Sequence, residues 1–247
     1  MANWSDPRTT AVPRAATGAR EAAFDAGLRS YMLSVYNYMG SGVLLTGIVA
    51  MLFARGGVDS PAAQLFMHGG LLRFLVMLAP LGVVMWLSFG INRISEGTAK
   101  ALFWAYAVLM GLSLSTILLV YTGGSVAQAF FATTASFAAL SLYGYTTKKD
   151  LSGFGTFLIM GVFGLMVAML INMFVHSSAM DLLISAVGVL LFAGLTAYDT
   201  QRIKSGYFAV RGTAFAGKSA IMGALQLYLD FINLFLFLLR FMGNQRN

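Results

Sequence analysis

Seven long runs of apolar residues, separated by short polar segments, constrain the fold of this chain more than any other feature. An α-helix needs about 20 apolar residues to cross the hydrocarbon core of a bilayer, and each run is close to that length. The runs extend approximately over Arg29–Phe53, Phe74–Ile91, Ala101–Tyr121, Ser125–Tyr145, Phe154–Val175, Leu182 to beyond Tyr198, and Ser219–Met242. The pattern therefore predicts an all-α membrane protein, a bundle of seven transmembrane helices.

The composition excludes several other classes of protein. Of the 247 residues, 58% are hydrophobic and 10% are charged, whereas ordinary globular domains are about 25% charged. These values exclude intrinsic disorder, collagen and a secreted disulfide scaffold. The chain has no cysteine, so it can form neither disulfides nor thiolate metal sites. Its two histidines leave few ligands for a zinc site.

The polar segments suggest a simple domain organisation and an orientation. Residues 1–27 are predicted to form a flexible cytoplasmic tail, residues 28–243 the seven-helix domain, and residues 244–247 a short outer tail. Of the 16 Lys and Arg residues, twelve fall in the first tail and in the loops after spans two, four and six, which leaves four for the other side. The positive-inside rule then places the N-terminus inside and the C-terminus outside.

Two acidic residues fall within apolar runs rather than at their ends. Asp199 lies late in span six and Asp230 about halfway along span seven. A charge at the centre of a membrane helix costs about 2.5–3.5 kcal/mol on insertion scales, so such residues are candidates for function. The depths of the two residues differ by only about 5–10 Å, and their carboxyl groups could meet if spans six and seven are adjacent.

The chemistry of such a pair would depend on pH. Two carboxyl groups in a low dielectric do not both ionise easily and can share one proton, while the deprotonated pair would attract a hard cation such as Ca²⁺. Gln226 and Asn233 share a helical face with Asp230 and are predicted to support the pair. Arg93, near the inner end of span two, is predicted either to pair with one carboxylate or to reach the membrane surface as a positive-inside residue. Ser34, Asn37 and Ser41 of span one, with Thr196 of span six, are predicted either to line a polar path or to link helices.

Two segments late in the chain read GLTAYDTQRIKSG and ALQLYLDFINLFLFLLRF, and the loop between spans four and five reads YTTKKDLSGFG. Together with the seven-span layout over residues 28–243, these segments resemble the Bax inhibitor-1 family, also called the transmembrane Bax inhibitor motif or YccA-like family. The resemblance is to the bacterial branch, which implies a multi-pass protein of the inner (cytoplasmic) membrane. It also implies a bundle in which six helices surround the seventh, and a pH-sensitive Ca²⁺ leak with Asp199 and Asp230 as the pH-sensing pair. Arg93 is the nearest match to the family's basic residue at the inner end of helix two.

The sequence thus favours a calcium leak channel in which the aspartate pair is the gate and a transient Ca²⁺ site, with no resident cofactor. One alternative is a non-conducting regulator that binds another membrane protein, such as a protease or a stress-signalling partner, through its tail and basic loops. Another is a proton-coupled transporter, although span seven has no Pro or Gly break between Ala224 and Met242. An enzyme is not expected because no nucleophile and base are paired in the sequence.

Overall fold

The computed structural model describes the backbone of residues 14–246 and the side chains of residues 26–246, and these residues form helices and no strands. The eight α-helices are α1 Arg14–Phe53, α2 Pro61–His68, α3 Leu71–Gly90, α4 Glu96–Val120, α5 Gly123–Thr146, α6 Ser152–Val175, α7 Ser178–Val210 and α8 Ala216–Met242. A single 3₁₀ turn, Gly57–Asp59, precedes α2.

Seven of these helices are long and apolar enough to cross a membrane, which confirms the predicted seven-helix bundle. Spans one to seven of the sequence correspond to α1 and to α3 through α8. The exception is α2, a short helix that the sequence analysis did not predict. Its start carries ordinary helix signals, since Ser60 accepts a hydrogen bond from the Ala63 amide and Pro61 occupies the first turn.

Helix α8 is the most buried of the spanning helices, and of the six helices that the resemblance places around it, four pack closely against it. Within its most apolar stretch 67% of the residues are buried, against 11–33% in the other six spanning helices. It packs against α1, α4, α5 and α7. A helix that is surrounded in this way must be apolar on almost every face, and this accounts for its nearly continuous run of Leu, Ile and Phe.

The ends of the spanning domain differ from the predicted tails. Helix α1 begins at Arg14, so the tail predicted to be flexible through residue 27 is helical from residue 14 onward, and residues 1–13 lie outside the described part. At the other terminus the chain does not leave the bundle directly. The Thr122 amide donates to the Asn244 carbonyl (3.1 Å) and the Arg246 amide donates to the Val120 carbonyl (2.8 Å), so residues 244–246 are held against the α4–α5 turn. Residue 247 lies outside the described residues.

Basic side chains join the helix ends on one side of the bundle. Lys204 Nζ donates to the Tyr145 carbonyl at the end of α5 (2.7 Å), and Lys218 Nζ donates to the Ile91 carbonyl at the end of α3 (3.0 Å). Cations stabilise the C-terminal carbonyls of helices because these carry partial negative charge. We call this side the basic end; its Lys and Arg residues are Arg29, Arg93, Lys100, Lys148, Lys149, Arg202, Lys204, Arg211 and Lys218.

Candidate functional site

Asp199 of α7 and Asp230 of α8 meet inside the bundle. Helices α7 and α8 pack side by side, and the two carboxyl groups interact directly with each other. Asp199 is only 3% exposed and Asp230 only 4% exposed. The structure therefore brings together the two acidic residues that the sequence placed within apolar spans.

The aspartate pair lines a largely apolar cavity of about 320 Å³. It lies between α3 and α6 on one side and α7 and α8 on the other. Its apolar wall includes Val162 and Met166 of α6 and Leu225 and Leu229 of α8, and its polar lining is the aspartate pair, Gln226 and Ser88. Few groups in such a cavity can solvate a negative charge, so the carboxyl oxygens depend on each other and on the polar residues nearby.

One oxygen of each carboxyl group is left without a partner. Asp199 Oδ1 and Asp230 Oδ2 are buried, and neither accepts a hydrogen bond from any described residue. An uncompensated buried carboxylate is costly, and the cost falls when the group gains a proton or a cation. These two oxygens are therefore the atoms of the pair at which a proton or a cation would relieve the cost of burial.

Two further residues approach the pair from the helices that carry it. Gln226 lies one turn before Asp230 on α8 and interacts with Asp199. Arg202 lies three residues after Asp199 on α7 and is within electrostatic reach of it, although its own side chain is exposed. The sequence analysis identified Gln226 from its spacing but missed Arg202, which the same i, i+3 rule would have found. It also missed Ser88, the one hydroxyl residue in the run Phe74–Ile91.

The structure does not bring Arg93 and Asn233 to the pair. Arg93 lies exposed in the turn after α3, and the cation in electrostatic contact with Asp199 is Arg202. Asn233 Nδ2 donates to the Leu229 carbonyl of its own helix (2.8 Å), and Asn233 is absent from the lining of the cavity.

The predicted polar path from span one is not formed by the hydroxyl groups proposed for it. Ser34 donates to the Ser30 carbonyl (3.1 Å) and Thr196 donates to the Phe192 carbonyl (2.8 Å), each one turn back in its own helix. Ser41 likewise bonds to carbonyls of α1. Ser34, Ser41 and Thr196 are also absent from the lining of the aspartate cavity.

The polar lining of the cavity limits how a metal ion could be held beside the pair. The described residues contain no group of three or more His, Cys, Asp or Glu side chains that could hold a metal ion. Ca²⁺ takes six to eight oxygen ligands. The polar lining of the cavity offers six oxygens at most, four from the two carboxyl groups, one from the Gln226 amide and one from the Ser88 hydroxyl.

Comparisons with known proteins agree with this architecture. Residues 28–247 match the family described as "Inhibitor of apoptosis-promoting Bax1". The chain is 44% identical to the inner membrane protein YbhL of Escherichia coli over 223 residues, which cover 90% of this chain and 94% of YbhL. It is 45% identical to a protein of Caulobacter vibrioides over 230 residues, 90% and 91% of the two chains. It is also 41% identical to YrjE of Lactococcus lactis over 218 residues, 88% and 92% of the two chains. This chain belongs to the Bax inhibitor-1 family of membrane proteins.

Proposed function

We propose that this protein is a pH-sensitive calcium leak channel whose gate is the pair Asp199 and Asp230. The observation that carries the proposal is the contact of two buried carboxyl groups, each with an unpartnered oxygen, in a cavity between helices. The resemblance to a family of calcium leak proteins supports the same reading. Gln226 acts in this proposal as a neutral oxygen ligand and positions Asp199.

The gate works by exchanging a proton for a cation. When the pair shares one proton, a hydrogen bond joins α7 to the central helix α8 and the passage is sealed. Loss of that proton leaves two like charges in contact within an apolar cavity, and these repel each other and attract Ca²⁺. Because α8 packs against four other helices, a shift of α8 changes the packing of much of the bundle. Flux is therefore expected to rise as the pH increases.

The proposed location is the inner (cytoplasmic) membrane of a bacterium, with the basic end toward the cytoplasm. The relative YbhL is named as an inner membrane protein. The positive-inside rule gives the orientation, because the basic end carries most of the Lys and Arg residues of the described chain. The N-terminus then lies inside and the C-terminus outside, and the lipid bilayer is the surrounding partner.

The test is Ca²⁺ flux into liposomes that contain the purified protein, measured between pH 6 and pH 8. We expect protein-dependent flux that rises with pH in the wild type. The Asp199→Asn/Asp230→Asn double variant is expected to lose this pH dependence, because an amide pair does not titrate in this range. Asp150→Asn is the matched control, since it removes an exposed carboxyl group from the loop between α5 and α6 and should leave the profile unchanged.

Two outcomes would contradict the proposal. If both single variants, Asp199→Asn and Asp230→Asn, kept the wild-type pH profile, the pair would not be the gate. If no variant and no wild-type sample gave flux above empty liposomes at any pH, the protein would not conduct under these conditions. The second outcome would favour the non-conducting regulator, and deletion of residues 1–22 would then test whether the tail binds a membrane protease or another partner.

A further inference from the structure

A second cavity, separate from the aspartate site, lies between α1 and α5 near the basic end. Its volume is about 530 Å³, which is within the range of known ligand pockets. Leu33 and Tyr36 line it from α1, and Ala138 and Leu142 line it from α5. None of its lining residues lines the aspartate cavity. This α1–α5 cleft plays no part in the proposed gate.

The cleft is apolar along its length and basic at one end. Leu33 is 51% exposed and Leu142 is 64% exposed, so large apolar side chains remain uncovered by protein. Arg29 belongs to the lining at the end where α1 enters the spanning region. Lys204 lies nearby, with its Nζ 4.9 Å from the ring centroid of Tyr145, which also lines the cleft. Among the described residues no acidic side chain lines the cleft, so the charge at this end is not balanced within it.

The position and the charge of the cleft together indicate one class of ligand. The walls lie in helices α1 and α5, which are long and apolar enough to span the membrane, so the lipids of the bilayer can reach them. A basic pocket between transmembrane helices is suited to an anionic lipid headgroup. An apolar trough that runs from such a pocket into the bilayer is suited to an acyl chain.

We propose that the α1–α5 cleft binds an anionic phospholipid from the leaflet at the basic end of the bundle. Arg29 contacts the phosphate of the headgroup, and Lys204 adds a second positive charge. One acyl chain lies along Leu33, Tyr36, Ala138 and Leu142. Since α1 and α5 both pack against α8, the bound lipid joins two helices that flank the central helix.

The headgroup contact is tested by lipid binding to the full-length protein in native mass spectrometry, with dioleoyl phosphatidylglycerol and dioleoyl phosphatidylcholine compared. We expect phosphatidylglycerol to bind more tightly in the wild type. Arg29→Gln is expected to lower its affinity about fivefold, the effect of one basic residue near an anionic surface. Lys100→Gln is the control, because Lys100 lies at the same end but pairs with Glu96 on α4 (2.6 Å), away from the cleft.

The acyl-chain contact is tested with a pair of tryptophan variants. Ala138→Trp places a large ring inside the cleft and is expected to lower phosphatidylglycerol binding at least tenfold. Ala139→Trp is the matched control, since Ala139 is exposed on the same helix but does not line the cleft. The thermal unfolding midpoint of each variant checks that the protein has folded.

Three results would overturn the proposal. The first is equal affinity of the wild type for the two lipids, and the second is unchanged phosphatidylglycerol binding in Ala138→Trp. The third is a wild-type dimer that only Ala138→Trp dissociates, with lipid binding the same in the two tryptophan variants. That third result would show that the cleft holds a helix of a second copy rather than a lipid.

Discussion

At the scale of single residues, two buried tyrosines with opposite hydrogen-bonding situations lie against each other in the core. The ring centroids of Tyr106 on α4 and Tyr228 on α8 are 5.3 Å apart. Thr46 Oγ1 donates to the Ala107 carbonyl (2.8 Å), so the Tyr228 hydroxyl must donate in its 2.6 Å bond to Thr46 Oγ1. The Tyr106 hydroxyl, by contrast, is buried without a partner among the described residues.

This contrast predicts opposite effects of the same substitution. Tyr228→Phe removes a buried hydrogen bond between α8 and α1 and is expected to lower the free energy of unfolding by about 0.5–1.5 kcal/mol. Tyr106→Phe removes a hydroxyl group that is buried without a hydrogen-bond partner. We therefore expect it to leave the free energy of unfolding unchanged or to raise it by about 1 kcal/mol. Unfolding by sodium dodecyl sulfate in mixed micelles measures both. Equal losses in the two variants would contradict this prediction, because they would show that the two hydroxyl groups contribute alike to stability.

At the scale of helices, α7, which carries Asp199, is held in place by its close approach to α5. The buried stripe of α5 includes Thr133, Phe137, Ser141 and Gly144, and Ser141 Oγ lies 3.1 Å from Thr200 Oγ1 of α7. At Gly144 the two backbones come so near that a Cβ atom would overlap the carbonyl oxygen of Ala197. Small residues at helix contacts in membranes permit this kind of packing.

The contact predicts that a single methyl group will separate the two helices. Gly144→Ala is expected to lower the free energy of unfolding by about 1–3 kcal/mol, because the atom it meets belongs to a backbone and cannot rotate away. Gly164→Ala is the matched control in α6, where an added Cβ meets nothing within 4 Å. The control is expected to be neutral or to stabilise by up to about 1 kcal/mol, since alanine favours the helix over glycine. Similar losses in both variants would contradict the close approach.

At the scale of the whole molecule, the unequal distribution of charge gives the bundle two distinct ends. The basic end gathers nine Lys and Arg residues that join or flank the ends of α3, α5 and α7, the starts of α4 and α8, and the start of the spanning part of α1. The opposite end has an ion pair between Arg240 of α8 and Asp181 of α7, to which Asn172 of α6 also donates (3.5 Å). Because the basic end has the clear excess of charge, the membrane potential and the insertion machinery can distinguish the two ends.

The orientation of the bundle in the membrane can be measured by labelling single introduced cysteines, because the chain has no cysteine of its own. Val58→Cys, at a position that is 82% exposed, reports the end opposite to the basic one. Lys149→Cys reports the basic end, where the residue is exposed. A membrane-impermeant maleimide is expected to label the Val58→Cys variant in intact cells, and the Lys149→Cys variant only after the inner membrane is disrupted. The reverse pattern would contradict the proposed orientation and would place the basic end outside.

Much of the candidate site was predictable because the relevant physics is local along the chain. A carboxyl group in a long apolar run is costly wherever that run folds, so Asp199 and Asp230 were identified without coordinates. Gln226 followed from helical spacing alone. The same spacing was not enough for Asn233, because a side chain that shares a face with Asp230 can also bond to the carbonyl one turn back, and Asn233 does so.

The remaining features depend on how distant segments pack. The length and polarity of each run are sufficient to predict seven spanning helices, since a bilayer acts on each helix separately. Whether Arg93 lies beside Asp199 depends instead on how the ends of α3 and α7 are placed relative to one another, and the fold leaves Arg93 exposed in the turn after α3. The α1–α5 cleft is likewise bounded by residues that lie far apart in the sequence, such as Arg29 and Tyr145, and no pattern within either helix indicates it. The cleft forms because α1 and α5 both pack on α8. These contacts join helices that are distant in the sequence, so only the tertiary structure decides them.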